Sequence, residues 1–97
     1  MLQSVVKQFV ASAPDQLSAM QEALAKNDLE TIRRHAHKIS GSAGNLTAYA
    51  MAKTAKAIEQ FVLGNEPAPL AEALEALAEE YRRLKDFVLN VEELGIH

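Results

Sequence analysis

Ninety-seven residues leave room for one domain, and with 48% apolar and 24% charged side chains the chain suits a small globular core. It contains no cysteine, which excludes a disulfide framework, a thiolate zinc site and cysteine catalysis. The net charge of −3 argues against a general nucleic-acid binder, and no apolar run approaches the length of a membrane span. Met1 to Val10 is interrupted by Gln3, Lys7 and Gln8 and does not read as a secretory signal.

Seventeen alanines and 12 leucines against 6 valines, 4 isoleucines, 4 glycines and 3 prolines predict an all-α domain. Charge is distributed unevenly. Residues 1–57 hold seven bases and four acids, whereas residues 58–97 hold three bases and nine acids. From Thr31 to Ile58 the chain carries Arg33, Arg34, Lys38, Lys53 and Lys56 and no acid. Such a stretch is either a solvated basic face or a site for a small anionic group.

A first short helix is expected from Leu2 to Ala11, with Leu2, Val5 and Phe9 as its apolar stripe. Ser12 is then a candidate N-cap for a second helix, with Pro14 in its first turn and Ala13, Leu17, Met20 and Leu24 buried. Asp28 caps a third, in which Leu29, Ile32, Ala36, Ile39, Ala43 and Leu46 follow helical spacing. A fourth carries Ala48, Met51, Ala55, Ile58 and Val62, and stops at Gly64, a natural C′ residue, before Pro67 and Pro69. In the last helix, Leu70, Leu74, Leu77, Tyr81, Leu84, Val88 and Val91 repeat over roughly 21 residues, about 32 Å. Short connections make sequential helices antiparallel neighbours. The expectation is an antiparallel up-down four-helix bundle, residues 1–97, with a short additional N-terminal helix. The heptad spacing also allows a coiled-coil oligomer; the monomeric bundle is preferred because five short stripes can cover one another.

Gly41 and Gly44 fall inside the third helical pattern, where each costs roughly 1 kcal/mol relative to alanine. Close helix packing would explain either, and a C-cap at Gly44-Asn45 would explain the second. Gly41, however, lies four residues after His37 and Ser40 lies three after it, so small residues occupy both neighbouring positions on that face. His37 itself is about 100° round from Ala36, beside the buried stripe. The pattern predicts an accessible imidazole on a rigid element, flanked by bases. A metal site is disfavoured because His35 and His37 point to nearly opposite sides, and no strand-turn-helix elbow supports a serine nucleophile. What remains is chemistry in which the imidazole is the reacting group.

The run Ala36-His37-Lys38-Ile39-Ser40-Gly41-Ser42-Ala43-Gly44-Asn45-Leu46 resembles the signature of histidine-containing phosphotransfer (HPt) domains, the four-helix-bundle carriers of multistep phosphorelays. Phe9 on an amphipathic helix, the Pro-initiated helix, the Asn27-Asp28 entry and the Ile58-Glu59 pair extend the likeness along nearly the whole chain. The resemblance implies that His37 is the phosphoacceptor. It implies that Glu59, 22 positions later, orients the imidazole through Nδ1, with Gln60 as the lesser substitute. It also implies that Gly41 gives a partner room to reach the ring. One departure stands out: Ser40 occupies the position of the family lysine that balances phosphoryl charge, and Thr47 stands where a glycine is common. If His37 faces Glu59 across antiparallel helices, Ser40 faces Lys56, which becomes the replacement cation; Arg33, Arg34 and Lys38 are alternatives.

The resulting expectation is a phosphoryl carrier, not an independent enzyme, that passes the group between receiver-domain aspartates in two-component signalling. It needs no cofactor of its own, since Mg²⁺ comes with the receiver. Ser40, Gly41, Gly44, Arg33 and Lys38 are the expected docking residues. Partners are response-regulator receivers and a hybrid histidine kinase, of which the chain could be the C-terminal domain, in a cytoplasmic bacterial setting, with no nucleic acid and no membrane insertion. The rival readings are an unphosphorylated docking module, favoured by Ser40, and a structural helical oligomerisation domain, favoured by the long heptad helix.

Overall fold

A computed structural model describes residues 4–45 and 48–93. Four helices follow in order: α1 Ser4–Ala25, α2 Leu29–Asn45, α3 Tyr49–Leu63 and α4 Pro67–Glu93. Each packs on its neighbours in sequence, and α1 also packs on α4, closing an up-down bundle of 45 × 20 × 18 Å. Met20, Ile32, Ile39, Met51, Ile58, Leu70, Leu74 and Leu77 are fully buried at its centre, each contributing about 1.5–3 kcal/mol of apolar burial. The stripes expected for the third, fourth and last helices supply most of this core. Leu2, Leu46 and the side chains of Val5 and Val91 lie outside the described residues.

The expected short N-terminal helix is not separate. One helix runs through Ser12 and Pro14, and the Ser12 hydroxyl donates back to the Phe9 carbonyl at 3.5 Å instead of capping a new start. Continuity lets Phe9, Ala13, Met20 and Ala23 form one buried stripe. Pro14 removes the N–H that Val10 O would otherwise accept, a defect that normally disfavours proline inside a helix. The Tyr81 hydroxyl of α4 donates to that same carbonyl at 2.7 Å. A side chain 71 residues away therefore replaces the missing backbone donor.

Tyr81→Phe should cost about 1–3 kcal/mol in denaturant unfolding, because it strands the Val10 carbonyl. The cost should shrink in a Pro14→Ala background, where the backbone donor returns. Burial also raises the Tyr81 pKa above its ordinary 10.0. Its contribution is therefore intact below pH 10 and lost as pH rises through the folded-state value, and the phenylalanine variant should lose that part of the alkaline dependence.

The helix ends correct two further expectations. Asn65, not Gly64, holds the left-handed position after α3, with φ 53°, while Gly64 is right-handed at φ −84°. The Asn65 N–H donates to Val62 O at 3.1 Å and the Glu66 N–H to Phe61 O at 3.0 Å, closing a Schellman turn. Asn27, φ 57°, ends α1 in the same way. Pro67 and Pro69 do not merely stop α3; they open α4, in the first turn, where helix N–H groups lack intrahelical partners anyway. Asp28 caps α2 as expected: its carboxylate accepts from the Thr31 N–H at 3.3 Å and from the Thr31 hydroxyl at 2.7 Å. Those hydrogen bonds hold its pKa below the ordinary aspartate value.

The α2–α3 seam is the most extensive in the bundle. Ala36 and Ala43 of α2 and Ala55 of α3 are fully buried, so small side chains let the two helices approach closely. That approach positions the site.

Candidate functional site

His37 projects from the middle of α2 with 76% of its side chain exposed. Its Nδ1 lies 3.2 Å from Glu59 Oε1 of α3, a carboxylate only 19% exposed in the seam. Two short side chains on different helices can meet in this way only because the helices are packed through alanines. In the tautomer that donates from Nδ1 to Glu59, Nε2 holds the lone pair. The contact has the partners and the ring nitrogen that the resemblance implied. Gln60, the lesser substitute, is exposed, and its side chain makes no hydrogen bond among the described residues.

The two glycines of α2 have no structural reason among the described residues. A methyl group added at Gly41 or at Gly44 would meet nothing within 4 Å, and neither has a left-handed backbone. Gly44 lies inside α2, which runs on to Asn45, so it is not the C′ residue of a cap. Close packing and helix termination are thus both removed as explanations. What the glycines do is leave open the surface beside His37, with Ser40 half-buried at its foot.

The basic residues separate into groups. Arg33 stands one turn before His37, and its guanidinium clasps Glu30, Nε to Oε1 at 3.1 Å and Nη2 to Oε2 at 2.6 Å. This pairing keeps Glu30 below the ordinary carboxylate range and holds Arg33 more firmly protonated, with a smaller contribution from Glu59. Lys56 is exposed on α3, and its side chain makes no hydrogen bond or ion pair among the described residues. Lys38 is exposed about 100° further round α2 than His37, on the side away from the core-flanking Ser40. Arg34 leans to Thr31, its Nη2 donating to Oγ1 at 3.4 Å. Along α3, Tyr49, Lys56 and Leu63 recur every seven residues on the flank that also carries Glu59, and Tyr49 and Leu63 are 69% and 72% exposed. Large apolar side chains therefore stand exposed along the helix that holds the imidazole in place.

Three residues beside the site are invisible to a motif search. Glu30 enters as the partner of Arg33, and its only signal is the three-residue spacing of opposite charges. Tyr49 and Leu63 lie off the buried stripe of α3 and carry no local signature. Among the described residues, no group of three or more His, Cys, Asp or Glu side chains could hold a metal ion, and no helix is long and apolar enough to cross a membrane.

His37 is thus an exposed histidine held at Nδ1 by Glu59 and followed on its helix by two glycines that face open space among the described residues. Comparison with curated proteins and with solved structures finds no match. The family model of the Hpt domain matches residues 4–87, which span all of α1 to α3 and most of α4. With that match over most of its length, this helical bundle belongs to the Hpt domain family, the histidine phosphocarriers of two-component signalling.

Proposed function

We propose that the chain, acting as one Hpt domain, relays a phosphoryl group between receiver-domain aspartates through His37. The observation that carries this reading is the 3.2 Å contact from Glu59 to Nδ1 beneath a largely exposed ring. In the forward step the Nε2 lone pair attacks phosphorus of a receiver phosphoaspartate, and the N–P bond forms as the acyl P–O bond breaks. The electron pair leaves with the aspartate carboxylate. The imidazole, still protonated at Nδ1, then carries positive charge, which the Glu59 carboxylate stabilises. The return step to a second receiver reverses each change.

Mg²⁺ and most electrostatic stabilisation come with the receiver's acidic pocket, while this chain supplies position and an in-line approach. Ser40, Gly41, Gly44 and Arg33 lie where a docking receiver would meet α2, and Lys38 reaches its margin. Tyr49 and Leu63 add exposed apolar surface on α3. Lys56 is proposed as the cation opposite Ser40 that offsets phosphoryl charge. In its setting the domain works in the bacterial cytoplasm, alone or as the C-terminal domain of a hybrid histidine kinase.

Incubation with a phosphorylated receiver and Mg²⁺ tests the reading. An acid-labile, alkali-stable label on the chain is expected, with Lys56→Ala slowing uptake several-fold. Binding of the receiver without label would favour the docking module, the reading that Ser40 in place of lysine supports.

A further inference from the structure

His37 and Arg33 are four residues apart on α2 and meet on one helix face. Helical side chains lean toward the N-terminus, so the imidazole leans toward the turn that carries Arg33. The Arg33 side chain is 39% exposed and that of its partner Glu30 63% exposed, which makes their clasp an easily exchanged surface pair. Glu59, which holds the imidazole, also acts on Arg33 electrostatically, so all three groups share one patch of the α2–α3 seam.

We propose that Glu30 parks Arg33 while His37 is empty, and that the guanidinium exchanges this carboxylate for the phosphoryl oxygens when His37 is loaded. The inference rests on the carrier reading above. A phosphoryl group offers more charge than a carboxylate and three acceptor oxygens, and the planar fork of arginine matches two of them at once. The exchange supplies a cation from α2 itself, on the opposite side of the ring from Ser40 and independent of Lys56. Charge on the phosphoryl oxygens falls in the loose transition state of hydrolysis. A cation bound to those oxygens therefore stabilises the loaded state more than the transition state and prolongs its lifetime.

Phosphoramidate, whose nitrogen is already protonated, loads histidine without a receiver: the Nε2 lone pair forms the N–P bond, the P–N bond breaks with its electron pair leaving as neutral ammonia, and Nδ1 keeps its proton. After removal of the reagent, the half-life of the phosphohistidine is followed in the intact chain. Arg33→Ala should shorten it about 3- to 10-fold, the range expected for one partly screened charge pair, and Arg33→Lys should recover part of the loss. Glu30→Gln, which frees the guanidinium, should leave the half-life equal or up to about twofold longer. An unchanged half-life in Arg33→Ala would overturn the inference alone. So would a Glu30→Gln half-life shortened as much as that of Arg33→Ala, because the pair would then act only as helix structure. No label on the wild-type chain would overturn the carrier reading and this inference with it.

Discussion

Replacing His37 with glutamine is expected to abolish phosphoryl uptake from both a phosphorylated receiver and phosphoramidate, while leaving the bundle folded. The substitution removes Nε2, the proposed nucleophile, and keeps a polar side chain of similar reach. The ring is 76% exposed and touches one polar partner, Glu59, so stability should change by no more than about 0.5 kcal/mol. The loss of receiver-derived label should exceed about 1,000-fold, since His37 is the ring that Glu59 orients for in-line transfer. Intact-mass measurement of phosphate incorporation, paired with thermal unfolding, checks both halves. Label retained at wild-type level in His37→Gln would move the acceptor elsewhere, with half-buried His35 as the first candidate.

Gly41→Leu should act in opposite directions on stability and on transfer. A methyl group at Gly41 meets nothing within 4 Å, so the larger side chain stays in solvent and the helix gains roughly 0.5–1 kcal/mol of propensity. The same side chain leans back over His37, one turn earlier, and blocks an incoming receiver. A displacement of about 1 Å from in-line geometry costs on the order of 100-fold, and the receiver reaction should fall by at least that factor. Phosphoramidate is small, and its reaction with Nε2 should fall far less. A ratio of the two rates that stays at the wild-type value would show that the glycine has no role in partner access. A melting temperature below wild type would show that the open space beside it is not free.

Much of this fold is local in origin. The alternation of Ile32, Ala36, Ile39 and Ala43 places them all in the core because a helix of 3.6 residues per turn can face them only one way. Asp28 caps α2 for a similarly local reason: its carboxylate needs only the backbone three residues ahead. His37, set beside the buried stripe with small residues above it, was legible as an exposed imidazole on the same grounds. Glu59 came from the resemblance, since nothing in its own neighbourhood distinguishes it from the other acids of the second half.

The boundaries depended on chemistry at a distance. Pro14 argues for a helix start when only its neighbours are read, yet α1 continues through it because Tyr81 on α4 satisfies the Val10 carbonyl that proline leaves bare. Periodicity and capping act within a few residues, so the amphipathic stripes, the antiparallel order of the bundle and the exposed histidine were readable along the chain, although as five helical segments where there are four. Packing between helices joins the first two segments into one helix, brings Glu59 to Nδ1 and leaves Gly41 and Gly44 facing open space. Each of those depends on side chains from other helices being present or absent at a few ångströms, a distance no single-helix pattern encodes.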